Sequence, residues 1–159
     1  MSWDESLKFG QEVERYVLAR IQKTYPKAYI QDGFYKEWDI YVPELRKGIE
    51  VKCDMRSNIS KAFLVEVTMG DKPSALTTTK AEIWVFFNGF SLYWIKPMEL
   101  MKAILIAGLS VAKFTGGTDT IHKTAYFVPI DLLEEHCLSI TYPLNDVPDK
   151  IQYDPEKQK

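Results

Sequence analysis

Trp38-Asp39-Ile40-Tyr41-Val42 and, after a short turn, Ile49-Glu50-Val51-Lys52-Cys53 are the two runs on which the fold is read. In a strand, alternate side chains share a face. Glu50 and Lys52 therefore project together, while Ile49, Val51 and Cys53 face the opposite, core side. Asp39 follows the same logic, with Trp38, Ile40 and Val42 supplying the apolar face. Residues 43–47, opened by Pro43, are enough to join the two runs as adjacent strands, so the three charged groups can converge. Taken alone, such a pair is a hairpin with one wetted face and a surface ion pair worth ~0–1 kcal/mol.

Upstream, residues 5–24 carry Phe9, Val13, Val17 and Ile21 at helical spacing. Asp4 or Ser6 can cap the start, and Pro26 closes the segment. Gly10, Glu14, Val17 or Leu18, and Ile21 form one stripe, which puts Glu14 on or beside the buried face. A buried carboxylate is costly unless it is paired or binds a cation. Glu14 is thus either a boundary residue satisfied by a lysine or a third carboxylate of one site.

Further strands are expected at residues 28–31, 62–68, 83–87, 91–95 and 124–128, with Asn88-Gly89-Phe90 as a hairpin turn. Pro97 suits the first turn of a helix ended by Gly108. Residues 115–120 read as a loop, and a short helix follows Pro129. The pattern predicts an α/β domain over residues 1–142, a central mixed β-sheet flanked by helices. Residues 143–159, with three prolines and alternating charge, read as a loosely attached tail.

The 159 residues are 46% hydrophobic and 26% charged, which is one ordinary globular domain and excludes a disordered chain. No apolar run approaches the ~20 residues of a membrane span, and the first residues lack a signal-peptide layout. Cys53 and Cys137 form no CxxC pair, which disfavours a zinc site or a disulfide framework and points to the cytoplasm. Gly116-Gly117 lacks a following Lys-Ser/Thr, so no nucleotide cofactor is expected. His122 and His136 are too separated to suggest a metal site. The net charge of −2 disfavours a strongly basic nucleic-acid binder. Setting aside Glu14, Asp39 and Glu50 leaves the remaining surface close to neutral, and a bound divalent ion would add positive charge.

Three oxygen donors plus water suit a hard divalent cation such as Mg²⁺. An ammonium beside that ion fits phosphodiester hydrolysis, in which the metal polarises the phosphoryl oxygen and the lysine offsets developing charge.

Glu14, Asp39 and Glu50-Val51-Lys52 together resemble the PD-(D/E)XK nuclease superfamily, the restriction-endonuclease-like fold. Gly10-Gln11-Glu12-Val13-Glu14 resembles the GxxxE helix pattern of its Holliday-junction-resolvase-like branches. Glu37-Trp38 stand before Asp39 where the family has a proline. The segment with Asn58, Phe63 and Glu66, residues 72–82, and Gly116-Gly117 resemble small phage-type members. The resemblance covers about residues 5–130.

It implies a Mg²⁺-dependent deoxyribonuclease, with Mn²⁺ able to substitute, that leaves a 5′-phosphate on DNA that is duplex, branched or single-stranded. Asp39 and Glu50 would hold the metal, with the Val51 carbonyl as a further ligand and Glu14 completing the shell directly or through water. Lys52 would be the catalytic lysine, and Glu66 a more remote supporting carboxylate. Lys72, Lys80 and Lys123 are either phosphate contacts or solvated lysines. A homodimer would suit symmetric cutting of two strands. Two other classes stay open: a catalytically silent module of this fold that binds nucleic acid or protein, and a structural domain with a solvated acidic face. Trp84, Phe86, Phe87, Tyr93 and Trp94 could stack bases, although aromatics flanking a turn are more often core.

Overall fold

A computed structural model of the chain describes residues 2–34, 36–115 and 121–158. Gly116-Gly117 lies outside the described residues. Helix α1 (Trp3–Gln22) starts earlier than the sequence pattern suggests, because Ser2 and Glu5 form a reciprocal capping box. The Ser2 hydroxyl accepts from the Glu5 N–H, and the Glu5 carboxylate accepts from the Ser2 N–H. Val13, Tyr16, Val17 and Ile21 make its buried stripe.

The chain then lays down β1 (Tyr29–Ile30), β2 (Ile40–Val42) and β3 (Lys47–Cys53) as an antiparallel meander. The expected hairpin is present, with Ile40 opposite Ile49 and Val42 opposite Lys47. Helix α2 (Ser57–Ser60), β4 (Ala62–Met69) and β5 (Lys72–Pro73) follow, and the chain returns as β6 (Ile83–Phe87), parallel to β3. Strand β7 (Leu92–Ile95) pairs back on β6 across the Asn88 turn, where the Asn88 side chain accepts from the Phe90 and Ser91 N–H groups. Then come α3 (Pro97–Ala107), β8 (Val111–Thr115), β9 (His122–Pro129), α4 (Ile130–His136) and β10 (Ser139–Thr141). Gly108 ends α3 in the left-handed conformation, as its position predicts.

The fold is mixed α/β, but the strands divide where the pattern suggested one sheet. A six-stranded mixed sheet runs β1-β2-β3-β6-β7-β10, and a second, antiparallel sheet runs β5-β4-β9-β8. One face of the mixed sheet packs against α1 through Ile40, Val42, Ile49, Val85 and Phe87. The other face presents Trp84, Phe86, Tyr93 and Ile95 to α3, α4 and the inward side chains of the second sheet, Phe63, Val65 and Val128. A sheet therefore does much of the covering on the side where helices alone were expected. Trp84, Phe86, Phe87 and Tyr93 are buried, which favours the core assignment of these aromatics. Cys53, expected to pack, is exposed because β3 ends there.

Residues 143–159 correct the expectation of a loose tail. Ile151 is fully buried, and Leu144, Val147 and Tyr153 pack on the α1 side of the core. Asp146 accepts from the Tyr16 hydroxyl at 2.7 Å and pairs with Arg20 at 3.1 Å. The backbone of Tyr153 closes over Gly89 so tightly that a Cβ there would lie 2.9 Å from the Tyr153 Cβ.

Gly48 anchors the hairpin beneath the charged site. Trp38 lies directly over it, and a Cβ at this position would come within 2.2 Å of the indole. Trp38 also stacks on Tyr41, which faces Gly48 across the ladder, at 5.3 Å between ring centroids. The Gly48 N–H donates to the Glu82 carboxylate at 2.6 Å, and the Glu82 N–H donates back to the Gly48 carbonyl. Gly48→Ala is expected to destabilise by about 1–3 kcal/mol through overpacking, read as a lower urea midpoint at unchanged slope.

Candidate functional site

Asp39 owes its position to the backbone ladder, which continues one residue beyond β2. Its N–H donates to the Ile49 carbonyl at 3.0 Å, and its carbonyl accepts from the Gln31 N–H at 2.8 Å. Held on both sides, the residue is only 7% exposed. Its Oδ2 accepts from the Val51 N–H at 2.7 Å, a charge-assisted bond that fixes the carboxylate plane. Its Oδ1 points to another partner.

That partner is Lys36, from the irregular segment between β1 and β2. Lys36 Nζ lies 3.2 Å from Asp39 Oδ1 and 3.5 Å from Glu14 Oε1, so one ammonium bridges two carboxylates. Glu14 reaches this point from α1 between the buried residues Val13 and Val17. Desolvation, the Asp39 charge and a hydrogen bond between the two carboxyl groups raise Glu14 to about 7, against the lowering pull of Lys36. Burial works to push Lys36 down, but Asp39 and Glu14 outweigh it and leave its pKa raised.

Glu50 and Lys52 sit on β3 as the period of two requires, with Lys52 Nζ 3.2 Å from Glu50 Oε1. Lys52 also lies over the Trp84 ring, 4.9 Å from its centroid, because β6 runs beside β3 with Trp84 opposite Glu50. Burial pushes Glu50 above the usual carboxylate range; Lys52 opposes this and the Asp39 charge adds to it. These groups open onto a hollow of about 310 Å³ lined by Lys36, Glu50, Lys52, Thr79, Lys80 and Trp84, among others.

The structure thus links Glu14 to Asp39 through Lys36, Asp39 to the Val51 N–H, and Glu50 to Lys52, and places Lys80 on the rim of the hollow that Glu50 and Lys52 line. It does not bring Lys72 or Lys123 there. Both lie on the second sheet, one on each side of Met69, and Lys123 pairs with Glu66 at 3.7 Å. Glu66 also accepts from the Ser74 hydroxyl at 2.7 Å, so it belongs to that local cluster rather than to the Asp39 site. Lys36 was not named from sequence. The only sequence signal for it was the need of Glu14 for a cationic partner, which does not say which lysine supplies it.

Among the described residues, no group of three or more His, Cys, Asp or Glu side chains is arranged as a metal site. Glu50 is turned to Lys52, and the Lys36 ammonium occupies the space between Glu14 and Asp39. The donor set nevertheless fits a hard cation. Its side-chain oxygens belong to carboxylates, and the Lys36 ammonium already contacts two of them. No helix among the described residues is long and apolar enough to cross a membrane. No family model matches the chain, and no curated protein or solved structure matches it.

Proposed function

We propose that this protein is a metal-dependent DNA nuclease of the PD-(D/E)XK, restriction-endonuclease-like type. The observation that carries the reading is the convergence of Asp39, Glu50 and Lys52 on one hairpin with Glu14 delivered from α1. The parallel return of β6 beside β3 supports it, since it backs Lys52 with Trp84 and adds the rim that carries Lys80.

Asp39, Glu50 and the Val51 carbonyl would hold Mg²⁺, or Mn²⁺ in its place, with Glu14 joining directly or through water. When bound, the ion supplies Lewis-acid polarisation of a phosphoryl oxygen and acidifies water. The Val51 N–H keeps Asp39 oriented throughout. Lys52, steered by Glu50 and the Trp84 face, presents its ammonium to the attacking water and to the charge that develops on the phosphoryl oxygens. Lys80 on the rim is suited to a flanking phosphate. A P–O bond forms from water as the P–O3′ bond breaks, giving a 5′-phosphate and a 3′-hydroxyl. The proton lost by the water is taken up by the departing alkoxide through solvent.

A second reading has one observation in its favour. Lys36 already pairs with both Glu14 and Asp39, as it would in a silent module that binds nucleic acid or protein without cutting. Purified protein incubated with Mg²⁺ or Mn²⁺ on supercoiled, linear, single-stranded and four-way-junction DNA separates the two. The nuclease reading expects cleavage of at least one substrate, abolished by EDTA. Absence of cutting across the panel would leave the silent module in its place. Because the surface outside the site is close to neutral, DNA binding should be modest, with a shallow dependence of log K on log salt.

A further inference from the structure

We propose that Lys36 is an internal counter-ion that competes with the divalent cation for Glu14 and Asp39, and that its displacement assembles the site. This inference rests on the nuclease reading only for the existence of a cation site. Three observations carry it. The ammonium lies 3.5 Å from Glu14 Oε1 and 3.2 Å from Asp39 Oδ1, so it occupies space that a cation shared by these two oxygens would need. Both carboxylates are largely withdrawn from water, with side chains 16% and 9% exposed, so the positive charge between them is poorly replaced by solvent.

Lys36 also stands between two hollows. One, of about 510 Å³, has Glu14 on its wall, and the other, of about 310 Å³, has Glu50 and Lys52. Lys36 is the residue common to the hollow that Glu14 lines and the hollow that Glu50 lines. Two cations of like sign cannot share one pair of carboxylates at this separation without strong repulsion. A divalent ion therefore binds only as the lysine leaves, and the lysine partly offsets the charge of the acidic pair when no ion is present. Lys36 lies in the irregular stretch between β1 and β2, so its side chain can move without breaking a sheet hydrogen bond. It is a positioning residue that acts on the site through Glu14 and Asp39.

The test is calorimetric titration of the protein with Mn²⁺ in the absence of DNA, on wild type and Lys36→Met. Lys36→Met keeps the length and apolar stem while removing the charge. It is expected to bind Mn²⁺ at least about tenfold more tightly and to melt lower than wild type when metal-free. Equal or weaker binding by Lys36→Met, with wild type binding normally, overturns the role of Lys36 and leaves the cation site standing. If neither protein binds Mn²⁺ at millimolar concentration, the cation site itself falls, and the inference with it.

Should Lys36→Met fail to fold, wild type alone decides. Reductive methylation of lysines, quantified by mass spectrometry, should label Lys36 several-fold faster with saturating Mn²⁺ than without, relative to the exposed Lys8. Unchanged or slower labelling of Lys36 would overturn the proposal.

Discussion

Lys52→Ala is expected to lower phosphodiester cleavage by about 10²–10³-fold while the protein remains folded. The size follows from removing a charge placed where negative charge develops in the transition state. The structural cost is small by comparison. The Lys52 side chain is 34% exposed, and its partner Glu50 is 24% exposed, so their ion pair is partly screened. A partly exposed pair contributes ~0–1 kcal/mol, and the contact with Trp84 adds about as much again. The unfolding midpoint should therefore shift modestly, while turnover falls by orders of magnitude. Lys52→Arg discriminates further. It preserves the charge and the stacking on Trp84 but moves the donor groups, so it should recover stability more completely than activity. Initial rates measured beside urea unfolding curves check both halves. Cleavage that persists undiminished in Lys52→Ala would remove Lys52 from the chemistry.

The hairpin that carries this prediction was legible because a period of two leaves no freedom within β2 and β3; Trp38, expected on one apolar face with Ile40 and Val42, lies before β2 and packs with the opposite core cluster. Once Ile40 and Ile49 are buried, the polar positions of β3 must share the other face. Helix α1 was legible for the same reason, down to Glu14 on the flank of its apolar stripe. The second sheet was not. Phe63, Val65 and Val67 alternate with half-buried Leu64 and Glu66, which shows that β4 has an inner face but not which strands flank it. Strand β8 has no fully buried side chain, and its apolar residues Val111, Ala112 and Phe114 do not fall on one face to mark an inner side. The closing segment misled through its prolines. Ile151 and Tyr153 were the informative residues there, since large apolar side chains in an otherwise polar stretch need somewhere to pack. Lys36 escaped for a different reason. It lies in irregular backbone, where no periodicity relates a residue to a face, and only the folded chain shows which lysine answers Glu14 and Asp39.

Raising the pH from about 4.5 to about 7 is expected to destabilise the metal-free protein and, over the same range, to strengthen cation binding. Glu14 carries the argument. Its ordinary value of 4.5 is raised to about 7 in the folded chain, first by desolvation and then by Asp39. Between those two values the folded state holds a proton that the unfolded chain has released. Stability therefore falls as pH rises through the window, is flat below it, and stays at its reduced level above it. The full shift corresponds to roughly 3 kcal/mol, and the open side of Glu14 toward solvent reduces that to about 1–2 kcal/mol.

Lys36 and Asp39 are the charged groups facing Glu14. Lys36 stays protonated across the window, since its pKa is raised from an already high value. Glu50, also raised, adds a change of the same sign. Glu14→Gln mimics the protonated side chain. It should be more stable than wild type at pH 8 by about 1 kcal/mol and show a flatter dependence of melting temperature on pH. Cation binding runs the other way because the proton and the ion compete for the same oxygen. Below about pH 7, Mg²⁺ affinity should drop by up to about tenfold per pH unit in wild type and far less steeply in Glu14→Gln. Melting curves with and without Mg²⁺ from pH 5 to pH 8 read both effects together. If the metal-free protein instead gains stability across this window, Glu14 is not held in its neutral form by the Asp39 site.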